Sequence, residues 1–188
     1  MKTIGIIILG LLSVLSSCNS SNRESTVENS QTEAKTNIPP KKHPIFNNVP
    51  LVREKLERVG IGLFTSWKKL DDFGWMSSTP YYSFGSTSST TGLPNNLAFY
   101  LESNSEDCIG TIKLVLNINN TSERKKALSK FNEIMVSTFK GLDLKDAGKF
   151  SKAIKQKKNY SFENNEYKIS LEIEKINIDN WELIIKAK

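Results

Sequence analysis

YKISLEIE, residues 167–174, alternates apolar and polar side chains at every position. A second alternating segment, WELIIKA, follows at residues 181–187, and residues 177–180 form a polar connection between the two. Side chains of a β-strand point to opposite faces in turn, so a period of two predicts a strand with one buried and one exposed face. The two segments therefore predict an antiparallel hairpin whose apolar face needs a covering layer.

Further strands are predicted before this hairpin. Residues 97–101 and 108–117 are rich in branched and aromatic residues and are separated by a polar turn. Both faces of the second segment carry apolar side chains, which favours a central position in the sheet. Residues 75–84 form a weaker strand pattern that contains Pro80, and proline is tolerated at a sheet edge or in an irregular segment. Residues 160–162 predict one more short strand.

Helical spacing of apolar residues occurs before and between these strands. Residues 50–59 are amphipathic, and residues 63–70 continue with helical spacing. A long helix is predicted between Asn120 and Gly141, and a further helix follows Asp143. The apolar residues of the long helix are Leu128, Phe131, Met135 and Phe139. This order of elements predicts an α+β fold, with an antiparallel sheet of about five strands and helices packed on one face.

Composition divides the chain into three parts. Residues 1–17 predict a signal peptide, and residues 18–43 are dominated by Ser, Thr, Asn, Glu and Lys with almost no large apolar side chains. Such a segment has too little to bury to offset the entropy of ordering, so it predicts a flexible linker. Residues 44–188 predict one globular domain of ordinary size.

The start of the chain carries the one recognisable resemblance. Lys2 provides a positive charge, residues 4–12 form an apolar stretch too short to span a bilayer, and Leu15-Ser16-Ser17-Cys18 closes it. This tetrad resembles the lipobox of bacterial lipoproteins. The resemblance implies that Cys18 receives a diacylglycerol, that the signal is cut just before it, and that the new N-terminus is acylated. The alternative is an ordinary signal peptide that contains a cysteine.

The resemblance also implies a location in the cell envelope. Asn19 follows the cysteine, and the short box in a Lys-, Asn- and Ile-rich chain is similar to those of Bacteroidetes lipoproteins. Enterobacterial inner-membrane retention mainly requires Asp at that position, so the outer membrane is expected. Residues 19–24 lack the acidic run of surface-exposed lipoproteins of that phylum, which favours the periplasmic face.

A modest positive charge is concentrated in one stretch. The chain has a formal net charge of +6, and residues 44–188 hold 21 Lys and Arg against 17 Asp and Glu. Residues 140–158 contain seven lysines against two aspartates, and the candidate anion patch consists of Lys152, Lys155, Lys157 and Lys158. The patch is either a solvated helix face or a site for phospholipid headgroups, an acidic glycan or an acidic protein. Nucleic acid is not expected as a partner of an exported protein.

A cluster of aromatic residues in an irregular, Ser-rich region is the candidate recognition surface. Its members are Trp67, Trp75, Tyr81, Tyr82 and Phe84. Aromatic rings offer a large contact area at low entropic cost, so they suit a carbohydrate or a peptide. The alternative is that these rings fill the core between sheet and helices.

The sequence predicts no catalytic residue, no metal site and no cofactor. Its single histidine, His43, lies in the predicted linker, which removes triads, Cys-His dyads and His-based zinc sites. Ser66–Lys69 and Ser122–Lys125 match Ser-x-x-Lys, but the Lys-Thr-Gly and Ser-Asp-Asn motifs that accompany it in serine β-lactamases are missing. Cys108 is expected to be a small buried residue or, alternatively, to pair with another molecule.

These observations favour a membrane-tethered envelope lipoprotein that acts as a non-enzymatic binding or interaction module. Its expected partners are the membrane, through lipid on Cys18, and an envelope protein or an anionic lipid or glycan. One alternative is a small histidine-independent hydrolase that uses a Ser-Lys or carboxylate pair. Another is an immunity or exclusion lipoprotein that acts against a toxin or a phage.

Overall fold

The computed structural model describes residues 43–175 and 178–188. Within these ranges the α-helices are α1 (Val49–Glu57), α2 (Arg124–Gly141) and α3 (Ala147–Gln156). The strands are β1 (Lys68–Leu70), β2 (Gly74–Ser78), β3 (Tyr82–Phe84), β4 (Asn95–Ser103), β5 (Thr111–Ile118), β6 (Tyr160–Glu163), β7 (Tyr167–Lys175) and β8 (Asp179–Ala187). The predicted signal peptide, Cys18 and all of the predicted linker except His43 lie outside the described residues.

The strands form one antiparallel sheet. Its order is β1-β2-β4-β5-β8-β7-β6, and β3 pairs with β4 beyond the end of β2. The two alternating segments at the end of the sequence are β7 and β8, which pair in register from Tyr167 opposite Ala187 to Lys175 opposite Asp179. β1 and β6 are the outermost strands and have only three and four residues. The α+β fold with an antiparallel sheet is therefore confirmed.

The prediction of about five strands was wrong, because eight lie in the described part of the chain. Three of them, β1, β3 and β6, have only three or four residues, too few to show a clear period. β1 lies where helical spacing predicted a short helix up to Leu70. That helix does not form: Leu63 remains 73% exposed, so its spacing to Trp67 and Leu70 marks no buried face. Backbone pairing with β2 decides the structure of residues 68–70 instead.

The core lies between one face of the sheet and the three helices. Alternate strand residues face it, and α2 contributes the residues that its sequence pattern predicted. The largest fully buried side chains are Trp181, Tyr167, Phe46, Phe99, Phe131, Phe139 and Phe150. Burial of each such side chain contributes about 1.5–3 kcal/mol, so this layer supplies the main stabilisation of the fold.

A break separates β2 from β3 along the edge of β4. Thr79 bridges it, because its N–H donates to the carbonyl of Phe99 and its hydroxyl accepts the N–H of Phe99, both over 3.0 Å. Pro80 follows in the gap, where no ladder partner has to receive an N–H. Tyr81 precedes Tyr82, whose partner Leu97 faces the core, and therefore points to the opposite face.

Asparagines fix the start of α2. Asn120 caps the short 3-10 turn before the helix by accepting the N–H of Ser122 over 3.2 Å. Fully buried Asn95 holds Asn120 in turn, since its Oδ1 accepts the N–H of Asn120 over 2.8 Å. Glu123 lies three residues after Asn120, which is the spacing of a capping box, but its side chain does not complete one. Its carboxylate accepts the backbone N–H and the hydroxyl of Ser86 instead, over 2.9 and 3.1 Å.

Candidate binding surfaces

The face of the sheet opposite the helices is here called the open face. One row of neighbouring side chains crosses five of its strands: Tyr100, Lys113, Ile184, Ser170 and Ser161. The next row contains Ala98, Val115, Glu182 and Glu172. A third row contains Asn96, Asn117, Asn180 and Glu174. Antiparallel sheets commonly leave one face to solvent, so a bare face alone is no sign of function. Evidence for a function must come from the side chains on this face.

Two tyrosines meet on the open face. The Tyr100 hydroxyl lies 3.4 Å from the hydroxyl of Tyr81, and the Tyr81 side chain is 61% exposed. Burial, the Tyr81 hydroxyl and the charge of Glu182 raise the pKa of Tyr100 to about 12. Tyr100 therefore stays protonated at physiological pH and keeps a hydroxyl that both donates and accepts.

A partly buried carboxylate lies next to this pair. Burial raises the pKa of Glu182, Lys113 opposes that shift, and the carboxylates of Glu174, Glu172 and Glu102 add to it. Lys113 is shared, because its Nζ also forms an ion pair with Glu102 over 2.6 Å. Around Glu182 the open face is thus acidic, with Lys113 as the one cation that opposes the shift, rather than a surface of uniform sign.

A groove of about 690 Å³ extends this field over β6, β7 and β8, and is here called the sheet groove. The charged residues that line it are Lys168, Lys186, Glu172 and Glu174. Ser161, Ser170 and Asn159 add hydroxyl and amide groups. The lining balances positive and negative charge and is rich in hydrogen-bonding groups, which suits a polar ligand or protein segment of mixed charge.

The five predicted recognition aromatics do not form one surface. Trp67 and Trp75 stack near the β1–β2 edge with ring centroids 6.1 Å apart, and the indole N–H of Trp67 donates to the carbonyl of Glu106. Tyr82 and Phe84 stack on β3 with ring centroids 6.2 Å apart and pack against the core. Tyr81 stands apart from both pairs on the open face.

The four predicted anion-patch lysines are exposed, but only two of them line the same groove. Lys152 and Lys155 lie on α3, while Lys157 and Lys158 follow its end. Lys155 and Lys157 line a second groove, between α2 and α3, together with Arg124 and Lys125. Lys152 and Lys158 do not line it. Sequence reasoning missed Arg124 and Lys125, because the lysine-rich stretch that marked the patch begins only at Lys140, near the end of α2.

In the described residues, neither Ser-x-x-Lys motif brings its serine and lysine into hydrogen-bond contact. Ser122 Oγ donates to Asn120 Oδ1 over 2.6 Å, and no hydrogen bond links a serine to a lysine within residues 43–175 and 178–188. No group of His, Cys, Asp and Glu residues that could hold a metal ion occurs in this part of the chain. Cys108 is half-buried and free, with its Sγ 3.7 Å from Ser103 Oγ.

His43, the first described residue, has a packing role. Its ring contacts Phe46 and Tyr167 edge-on, with ring centroids 6.0 and 5.8 Å apart. Its Nδ1 also accepts the N–H of Ile45 over 3.4 Å at the start of the first 3-10 turn.

Sequence reasoning missed the central residues of the open face, Tyr100, Lys113 and Glu182. Each lies on a different strand, so only the register of β4, β5 and β8 brings them together.

Among the described helices, none combines the length and the apolar character that a bilayer crossing requires. Comparison with protein families, with curated proteins and with solved structures finds no match to this chain.

Proposed function

We propose that this protein is an envelope lipoprotein, held by lipid on Cys18 at the periplasmic face of the outer membrane, whose folded part is a non-enzymatic binding module. The lipobox-like tetrad supports the attachment. The observation that carries the binding role is the pair of exposed Tyr81 and half-buried Tyr100 on the same face of the sheet as the sheet groove. Another envelope protein is the partner that this surface fits best.

The chemistry of the surface supports a protein partner. Tyr81 offers an exposed ring at low entropic cost, and the protonated Tyr100 hydroxyl next to it can donate or accept. A strongly anionic ligand would meet the carboxylates of Glu172, Glu174 and Glu182, and a strongly cationic one would meet Lys168 and Lys186. A protein segment of mixed charge meets both kinds of residue without a net penalty.

The binding role is tested by crosslinking in intact envelopes followed by purification of the protein and identification of what it holds. Tyr81→Ser removes the exposed ring, and Leu63→Ser, at a side chain that is 73% exposed and lies before β1, is the matched control. Tyr81→Ser is expected to lose the crosslinked partner, while Leu63→Ser and Tyr81→Phe retain it. Equal recovery of the partner by Tyr81→Ser and by the parent would contradict the assignment of the open face.

The attachment is tested separately. Cys18→Ser is expected to abolish incorporation of labelled palmitate and to leave the signal uncut by the lipoprotein peptidase. A normally acylated mature protein from that variant would refute the lipoprotein assignment and would leave the test of the open face unaffected.

A further inference from the structure

The second groove described above, between α2 and α3, is here called the helix groove. It has a volume of about 690 Å³ and runs between the first half of α2 and the end of α3. Its cationic lining residues are Arg124, Lys125, Lys155 and Lys157. No carboxylate lines it, and Leu128 and Ile154 give it apolar atoms. Arg124 forms an ion pair with Asp179, so the three lysines supply the uncompensated positive charge.

Lys157 occupies a backbone conformation that lysine rarely adopts. Its φ of 54° and ψ of 48° are left-handed, and it ends α3 by donating its N–H to the carbonyl of Ile154 over 3.1 Å. The N–H of Lys158 donates to the carbonyl of Ala153, which completes the helix end. Glycine is the usual residue at such a position, because any side chain is strained there. A strained lysine that lines a cationic groove points to a role for its charge.

Asn132 adds a polar group to the same groove. It lines the wall on α2, and its Oδ1 is buried without a hydrogen-bond partner. Buried polar atoms are normally satisfied, so this oxygen is an exception in the wall of the groove.

We propose that the helix groove binds the headgroup of an anionic phospholipid at the membrane surface. Lys125, Lys155 and Lys157 would contact the phosphodiester oxygens. Leu128 and Ile154 would contact the carbon atoms next to the phosphate. Charge complementarity and the mixed lining favour a lipid over a fully hydrated small anion. Such contacts would orient the domain on the membrane that the proposed anchor reaches.

The test uses residues 19–188, which keep every described residue and lack the lipid-carrying Cys18. Co-sedimentation is measured with vesicles that contain phosphatidylglycerol and with vesicles of phosphatidylcholine alone. The parent is expected to bind only the first kind at low salt and to be released as salt shortens the screening length to about 8 Å or less. Because the anchor is absent, failure here leaves the lipoprotein assignment and the open face untouched.

Two double variants with the same loss of charge separate the groove from general basicity. Lys155→Gln with Lys157→Gln removes two groove lysines, and Lys152→Gln with Lys158→Gln removes two lysines of the same stretch outside the groove. At about 1 kcal/mol for each lysine near an anionic surface, the first pair is expected to lower vesicle affinity by about 30-fold. The second pair is expected to change it by about threefold or less.

Lys157→Gly separates binding from folding. It relieves the left-handed strain, so the melting temperature is expected to hold or rise, while the loss of one lysine is expected to lower vesicle affinity by about fivefold. Equal weakening by the two double variants, full affinity in Lys157→Gly, or no difference between the two vesicle types would each overturn the proposal. Release by inorganic phosphate at matched ionic strength would also overturn it, because it would mark a site for small anions.

Discussion

Replacement of Thr79 by valine tests the break between β2 and β3. Thr79 is 5% exposed, and its hydroxyl accepts the N–H of Phe99, a residue with no exposed surface. Valine has almost the same shape but no hydroxyl. A scale of hydrophobicity alone would favour valine at so buried a position, whereas the hydrogen-bond pattern predicts the opposite.

The magnitude follows from the group left behind. Thr79→Val leaves the buried Phe99 N–H without its acceptor, which costs about 1–3 kcal/mol. Thr79→Ser is the matched control, because it keeps the hydroxyl and loses one methyl group, worth about 0.8 kcal/mol. For a protein of this size each kcal/mol lowers the melting temperature by about 2–4 °C. We therefore expect valine to be the more damaging of the two replacements.

Urea denaturation of both variants gives the free energies of unfolding, and hydrogen exchange reports the Phe99 amide directly. The amide is expected to lose protection in Thr79→Val and to keep it in Thr79→Ser. A valine variant as stable as the serine variant, with the Phe99 amide still protected, would refute this reasoning. It would mean that another acceptor reaches the amide and that Thr79 does not hold the break.

Three further predictions concern stability. Gly74 has φ of 75° and ψ of −152°, and an added Cβ would lie 2.5 Å from the Ser103 carbonyl oxygen. Gly74→Ala is therefore expected to destabilise the fold by about 1–3 kcal/mol through backbone strain, and further through the clash. Gly92→Ala is the control in the same denaturation assay, because Gly92 has φ of 70° but open space around it, so only the strain is expected. Because burial raises the pKa of Glu182, the folded state holds a proton that the unfolded state releases, so stability falls as pH rises from about 4.5 through the raised value. Glu182→Gln should flatten that fall and exceed the parent in melting temperature at neutral pH but not at low pH, and equal pH profiles would contradict the assignment. Residues 44–188 are expected to melt cooperatively with no shift on addition of chelator or reductant, and a large shift with either would reveal a metal site or a bridge at Cys108.

The long elements could be predicted because their patterns repeat several times. β7 alternates from Tyr167 to Glu174, β8 does so apart from Ile184, and α2 repeats its apolar spacing over 18 residues, so one buried face per element accounts for most positions. Residues 68–70 could not be predicted in this way. Their structure depends on hydrogen bonds to β2, and the helical spacing of the surrounding apolar residues had no buried face behind it.

The candidate surfaces were harder to predict from the sequence than the fold, because they depend on tertiary structure. Tyr81, Tyr100 and Glu182 are distant in sequence, and the break at Thr79 together with the register of β4, β5 and β8 brings them to one face. Glu123 shows the same limit at short range. Its spacing from Asn120 matches a capping box, yet its carboxylate accepts hydrogen bonds from Ser86, in the loop before β4. These hydrogen bonds lower the pKa of Glu123.

The outermost strands of the sheet have a consequence for a protein crowded on a surface. Copies that share one membrane diffuse in two dimensions and collide more often than they would in free solution, and a long free edge would let one copy template a continuous intermolecular sheet on the next. β1 offers three residues and β6 four, and just before β6 begins, the side chain of Asn159 accepts the N–H of Ile173. These edges leave too few backbone groups for another copy to extend. Under the proposed attachment, the short edge strands would disfavour edge-to-edge pairing between neighbouring copies on the membrane.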